Sequence, residues 1–530
     1  MGPFAEPLAP EGAKVGANNE ANQANWMEVP LLLELDRASR VPLYRQIYRQ
    51  LAALILGGQL PEGFRLPSER ELARRLGVNR TTVVAAYQEL SADGLVEGHV
   101  GRGTIVIGRR RAGRAGGGPP LLWSGLVQAR LHVPWGPLLQ RVGSLSARPG
   151  VISFASGILD PTQSPHLKLE QAVVRALSRP AWQLLEDSPT EGWQELREEI
   201  ARRLAGRGCD KLSARCVLIV SGSQQGIYLV AQLLLRPGDA VLVENPTYLG
   251  ALEVFYRLGA RIIGIPVDAE GMQVEAAQRA LAGGQVRLIY VNPNYHNPTG
   301  TTMPTERRLR LLELARRYQV PILEDDLYGE LSFEGAPPPS IRALDQGGYV
   351  VYLGGLSPLL GPGLRLGWLV VPRALVPAVV AMRKSIDLHH SNLLQAVALE
   401  LLRDGSLDAH IRWLRHACAA RRDEMLAELS RLQPLGLQAG VPGGGLHIWC
   451  SLPEGCADQE LLEEAAPLGV TFMPGQLFFV DGSSQGFIRL NFAAPGPGQI
   501  PEGVRRLGEA LRALQAKAVG AEEQAGRPLI

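Results

Sequence analysis

The chain has 530 residues, 46% of them hydrophobic and 20% charged, with a formal net charge of +2. That is length for two or three domains and the composition of a water-soluble folded protein. No apolar run reaches the ~18 residues of a membrane-spanning helix, and no basic stretch followed by an apolar one marks a secretory leader.

Residues 1–30, rich in Ala, Gly, Pro, Asn and Glu, read as a disordered tail. From Asp36 to Arg114 there are fourteen arginines, no lysine and seven acids, a net +7. The rest of the chain therefore carries −5, so a basic module sits on a mildly acidic body, a balance that points to a nucleic-acid partner.

Within that module, "PLYRQIYRQLAALIL" has a helical period that places Leu43, Ile47, Leu51, Leu54 and Ile55 on one face. "LPSERELARRLG" predicts a second helix, capped by Ser68 with Glu71 three residues on and stopped by Gly77. "NRTTVVAAYQELSADG" predicts a third, capped by Asn79 and ended at Gly94, with the spacing of a helix-turn-helix. "LVEGHVGRGTIVI" alternates around glycines as a two-stranded wing does. Asn79, Arg80, Thr81 and Thr82 cluster at the start of the third helix, the end that enters the major groove in such modules. Arginine reads guanine bidentately and hydroxyls meet phosphates or base edges; taken singly, Asn79 and the threonines are as well explained by capping.

"GRRRAGRAGGGPP", 108–120, is a Gly/Arg/Pro linker, roughly 20 Å in flexible reach. From 121 to 515 apolar strand-like runs alternate with amphipathic helical runs, as in a mostly parallel sheet with helices on both faces; 516–530 reads as a frayed tail. Polar groups follow several of these strands. "VSGSQQGIYL" is a strand, a turn and a helix start, whose N–H groups at Gly222, Ser223 and Gln224 suit an anion. "ENPTY" puts Tyr248 on a turn, "NPNYHNPTG" places Asn297 after a strand, and "ILEDDLYGE" carries Asp325 and Tyr328. The carboxyl edge of a parallel sheet is where open α/β folds bind ligands. Cys209, Cys216, Cys418, Cys450 and Cys456 form no CxxC and no metal spacing, which fits buried thiols in a reducing cytoplasm.

Over roughly 42–107 the chain resembles the GntR-family winged helix, through "LPSERELARRLGVNRTTVVAAYQEL". The resemblance implies contacts with double-stranded DNA by Arg70, Arg80, Thr81, Thr82 and wing Gly101, with Val84 where some members carry a second recognition arginine. Over about 150–510 it resembles the fold-type I aminotransferases that bind pyridoxal 5'-phosphate (PLP), with a smaller C-terminal α+β subdomain at about 400–515. The two in this order resemble the MocR-type transcription regulators. The resemblance implies that Asp325 meets the pyridine nitrogen and that Asn297 and Tyr328 meet the phenolic oxygen. Tyr248 is placed to stack on the ring. Arg365, Ser357 and the Gly222–Gln224 turn take the phosphate, and Arg489 takes a substrate carboxylate beside Gly157 of "SFASGILDP". It also implies a homodimer, with each DNA module over the partner's large domain; the linker is short for that exchange.

Three positions depart from the family pattern. Pro358, in "GGLSP", stands seven residues before Arg365, where the family has the lysine that bonds PLP. Gly355 replaces a phosphate-binding Ser or Thr, and Asp187 replaces a tyrosine that reaches the neighbouring subunit's phosphate. Proline has no ionisable group, and losing a positioned base costs ~10²–10⁴ in rate. Lys384 is the one distant candidate to stand in for the lysine, and His296 reads as a weak base or, more simply, a site-lining or packed histidine. Three readings follow. The first is a regulator that senses a PLP-related or amino-acid effector without turnover, holding PLP or pyridoxamine phosphate non-covalently if at all. The second is an active aminotransferase of the 2-aminoadipate or aromatic type with an unusual base. The third is a dimerisation scaffold with no ligand. The first accounts for the most residues.

Overall fold

The computed structural model describes residues 33, 35–37, 41–56, 59–99, 103–107, 133–157, 168–482 and 486–525. Two compact units divide the chain, Met1–Gln128 and Ala129–Ile530.

The first unit has three helices, Leu43–Leu56, Glu69–Leu76 and Arg80–Ala92, then a hairpin of Val96–His99 with Gly103–Val106. Its punctuation is what the sequence predicts. Ser68 accepts from the Glu71 N–H at 3.2 Å, and Gly77 closes the helix in the left-handed region at φ 61°. Asn79 starts the third helix by accepting from the Thr81 N–H at 3.1 Å. Ile47, Leu51, Leu72, Val83, Leu90 and Val96 fill one small core. Leu43, Leu54 and Ile55, expected on the same face as Ile47, are only half-buried; Leu54 and Ile55 pack against the core from outside it.

The second unit is built on an eight-stranded sheet. In spatial order its strands are Val217–Val220, Gly367–Val370, Val350–Gly355, Ile322–Asp325, Val286–Val291, Ala240–Asn245, Arg261–Asp268 and Gly271–Met272. Five of them, from Val350–Gly355 to Arg261–Asp268, pair in parallel. The apolar run "VLIV" of the edge strand Val217–Val220 is buried throughout, as helices on both faces of the sheet require. Gly367–Val370 runs antiparallel to both neighbours. Its first residues therefore lie at the edge where the parallel strands end, which brings Arg365 to the same rim as Asp325.

A smaller four-stranded sheet orders Gln438–Ala439, His447–Ser451, Phe487–Asn491 and Met473–Pro474. The final helix spans Gln499–Ala525, past the tail boundary expected at 516; its Ala- and Glu-rich end has high helix propensity. Among the described residues no helix is long and apolar enough to cross a membrane. Residues 1–30 and the linker lie outside the described residues.

Candidate functional site

In the first unit the start of the third helix is open to solvent, with Asn79, Arg80 and Thr81 exposed and Thr82 half-exposed. Asn79 spends its Oδ1 on the helix cap. Arg80 reaches back to Glu69, with Nε and Nη2 at 3.1 and 2.8 Å from Oε2. An exposed pair of this kind contributes at most ~1 kcal/mol, so the guanidinium is free to exchange partners. Tyr87 donates to the Pro67 carbonyl at 2.8 Å, tying the third helix to the turn that starts the second. Arg70 is exposed on the second helix with no partner among the described residues. Gly101 lies outside the described residues.

In the second unit, a cavity of about 660 Å³ opens at the carboxyl edge of the large sheet. Gly157, Ser223, Gln224, Tyr248, Asn297, Asp325, Tyr328, Ser357, Arg365 and Arg489 all line it, as does Pro358. Gly222 does not, but it caps the helix Ser223–Leu234 at φ 90°, and that helix start has no side-chain cap. Its first N–H groups are thus left for a ligand.

Asp325 ends its strand fully buried. Tyr290 donates to Oδ2 at 2.7 Å, and Oδ1 is buried without a partner. Burial raises the carboxyl to about 7, opposed by the Tyr290 hydrogen bond and aided by neighbouring Asp326. A cation at Oδ1 would reverse that shift. Asn292 holds the strand end, donating to the Asp325 carbonyl at 2.6 Å and accepting from the Asn297 N–H at 2.9 Å.

Arg489 lies under the cavity floor with its guanidinium over the Phe478 ring. It donates to Asn297 Oδ1 at 2.9 Å and to the Ala155 carbonyl at 3.0 Å, while Nε is unpartnered. Burial lowers it to about 10, still charged at neutral pH. Tyr328 hydrogen-bonds Asn297, and burial raises its phenol; Tyr248 is pushed up to about 12, chiefly by burial. Arg365 holds the left-handed conformation at φ 46° and donates to the Ser221 carbonyl at 2.9 Å. A Cβ on Gly222 would sit 2.9 Å from its Nη2, so a side chain there would push the guanidinium aside.

Ser357 and Pro358 open a short helix, Ser357–Leu360, and Pro358 is buried against the cavity. A side chain at Gly355 would crowd Leu327, its Cβ being 3.1 Å from Cδ2. The described lysines, Lys168, Lys211, Lys384 and Lys517, are all exposed, and none lines the cavity. His296 is packed instead of lining it: Nε2 lies 3.2 Å from buried Glu244, and Nδ1 pairs with Thr299 at 2.8 Å. Asp187 is fully exposed, 3.5 Å from His389.

Sequence reasoning did not find Tyr290, Asn292 or Phe478, nor the wall made by the helix Gly136–Ser146 through Leu139, Val142 and Ser146. A tyrosine inside the apolar run "VRLIYV" was the one signal for Tyr290. The helix face reads as ordinary amphipathic packing.

The chain matches the family model for class I and II aminotransferases over residues 149–507 and that for gntR-family bacterial regulatory proteins over 43–106. It is 34% identical to the HTH-type transcriptional regulator TauR of Rhodobacter capsulatus, across 89% of this chain and 96% of TauR. It is 32% identical to the probable rhizopine catabolism regulatory protein MocR of Rhizobium meliloti, across 92% and 97%. The chain is a MocR-like regulator of the GntR and class I and II aminotransferase families. Its large unit also superposes on the multiple substrate aminotransferase of Thermococcus profundus, with TM-score 0.71, 33% identity, 75% of this chain and all of that one. As a MocR-like regulator it is a DNA-binding transcription regulator, and its second domain has the fold in which this family binds PLP. The residues present fit that group: Asp325 has an open buried oxygen, and the helix at Ser223 begins without a side-chain cap.

Proposed function

We propose that this MocR-like regulator senses a PLP-related or amino-acid effector in the cavity, non-covalently and without turnover. The reading rests on one contrast. The cavity keeps the polar groups that suit a flat, anionic, basic-nitrogen ring, yet Pro358, which the family resemblance aligns with the cofactor lysine, lines it with no amine.

When bound, PLP supplies an electron-accepting pyridinium ring. Asp325 would hold the proton of the ring nitrogen at its open Oδ1. Asn297 and Tyr328 would orient the phenolic oxygen and Tyr248 would cover the ring. Ser223, Gln224, Ser357 and Arg365 would take the phosphate. Arg489 would bind an effector carboxylate, with Gly157 beside it. Pro358 offers neither an amine to bond the cofactor nor a proton to move. Without that base the site is suited to holding a ligand rather than converting it.

A homodimer fits the same reading. Leu177, Trp182, Leu185, Ile386 and Leu388 expose apolar side chains on the second unit, and Trp182 lines a shallow pocket with Asp187. Asp187 would then face the partner's site. Calorimetric titration with PLP, pyridoxamine phosphate and amino acids, paired with a transamination assay, tests the proposal. Saturable binding without product is expected; turnover of an amino donor, or no heat from any ligand, overturns it.

A further inference from the structure

A second cavity, also about 660 Å³, lies elsewhere in the same unit, between the segment 329–337 and the long helix Ser406–Ser430. Arg412, Arg415 and His416 present one helix face to it, at the i, i+3, i+4 spacing that places side chains together. Arg412 is exposed and has no acidic partner among the described residues. Arg415 uses only Nε, donating to the Glu330 carbonyl at 2.7 Å, which leaves its terminal nitrogens open. His416 donates from Nδ1 to the Arg412 carbonyl at 2.7 Å, so Nε2 points away from its own backbone.

The opposite wall is different. Arg203 is held by both Glu330 oxygens, at 2.8 and 2.5 Å, and by Asp408 at 2.6 Å, and Arg207 is paired with buried Asp326 at 2.9 Å. Those two arginines are neutralised and build the frame; the helix arginines are not. Two like charges one turn apart without a carboxylate between them are mildly destabilising, and an oxyanion bridging them removes that cost. Phe333 and Pro337 give the cavity an apolar side.

We propose that this cavity is a binding site for a small organic oxyanion, a polycarboxylate or a phosphate ester. Arg412 and Arg415 are its charge partners, with His416 beside them on the same helix face. The site is separate from the sheet-edge cavity and does not rest on the reading of that one.

The test is isothermal titration of the full-length protein with citrate and, separately, inorganic phosphate, at constant ionic strength. One-to-one saturable binding of either probe is expected, weakened about ten-fold or more in the Arg412→Ala/Arg415→Ala double variant, which loses charge-assisted hydrogen bonds. Arg412→Glu alone, at an exposed position whose described contact is through its backbone carbonyl, should weaken it similarly and guards against misfolding of the double variant. Arg365→Ala, in the other cavity, should leave the citrate affinity within about two-fold. The proposal fails if neither probe saturates, or if binding survives both helix variants. It also fails if Arg365→Ala abolishes binding, which would place the anion at the sheet edge.

Discussion

Tyr290 donates its hydroxyl to Oδ2 of Asp325 at 2.7 Å, and the second oxygen of that carboxylate is buried with nothing to accept from. A half-satisfied buried acid is costly unless it is protonated or faces a cation.

The folded Asp325 carboxyl, raised to about 7, stays protonated where the unfolded chain has already lost the proton, from about pH 4 upward. In that window the folded state binds more protons, so stability falls as pH rises, by up to about 1.4 kcal/mol per unit from this group. Asp325→Asn removes the dependence. Relative to wild type, the variant should gain stability between pH 4 and 7 and hold that gain above pH 7, as followed by urea unfolding. A wild-type-like slope in the variant would assign the effect to Glu324, which burial also raises to about 7.

Arg489 is the buried cation nearest Asn297, and its Nε is open. Arg489→Ala should weaken an amino-acid effector by roughly 30-fold or more, the loss of a charged pair at ~2–5 kcal/mol. An effector lacking a carboxylate should be affected much less. Competition titrations with an amino acid and its decarboxylated amine separate the two cases.

Pro358→Lys should place an amine in the cavity that Pro358 lines. The second position of a helix needs no backbone N–H partner, so the exchange spares the Ser357–Leu360 turn. With PLP the variant is expected to form a bond that borohydride reduction fixes, read by peptide mass spectrometry as added mass on the introduced side chain. An unmodified peptide would mean that the position does not face the cofactor.

In the DNA module, Arg80→Ala should cost about 1–3 kcal/mol and relax specificity at one base pair, if its guanidinium leaves Glu69 for a guanine. Arg70→Ala should weaken binding evenly across sequences and lower the salt slope by about one. Fluorescence anisotropy against a selected operator and its single-base variants, at several salt concentrations, distinguishes the two.

Much of this was legible in the residues because local chemistry decided it. Ser68, Gly77 and Asn79 cap helices by bonds to residues at most a turn away, and Asp325 ends a strand that Tyr328 closely follows. Tyr290, Asn292 and Phe478 were not legible. Their roles come from partners 35, 33 and about a dozen positions away, and apolar-looking strands and loops carry no sign of such pairings. The helix Gly136–Ser146 shows the same limit, since facing a core and facing a cavity need the same side chains.

The most direct measurement combines calorimetry and intact-mass spectrometry on the wild-type protein saturated with PLP, before and after borohydride reduction. Saturable heat of binding with no gain in protein mass is the predicted result. A mass increase of one cofactor after reduction, or no heat at any concentration, would contradict non-covalent sensing at the sheet-edge cavity.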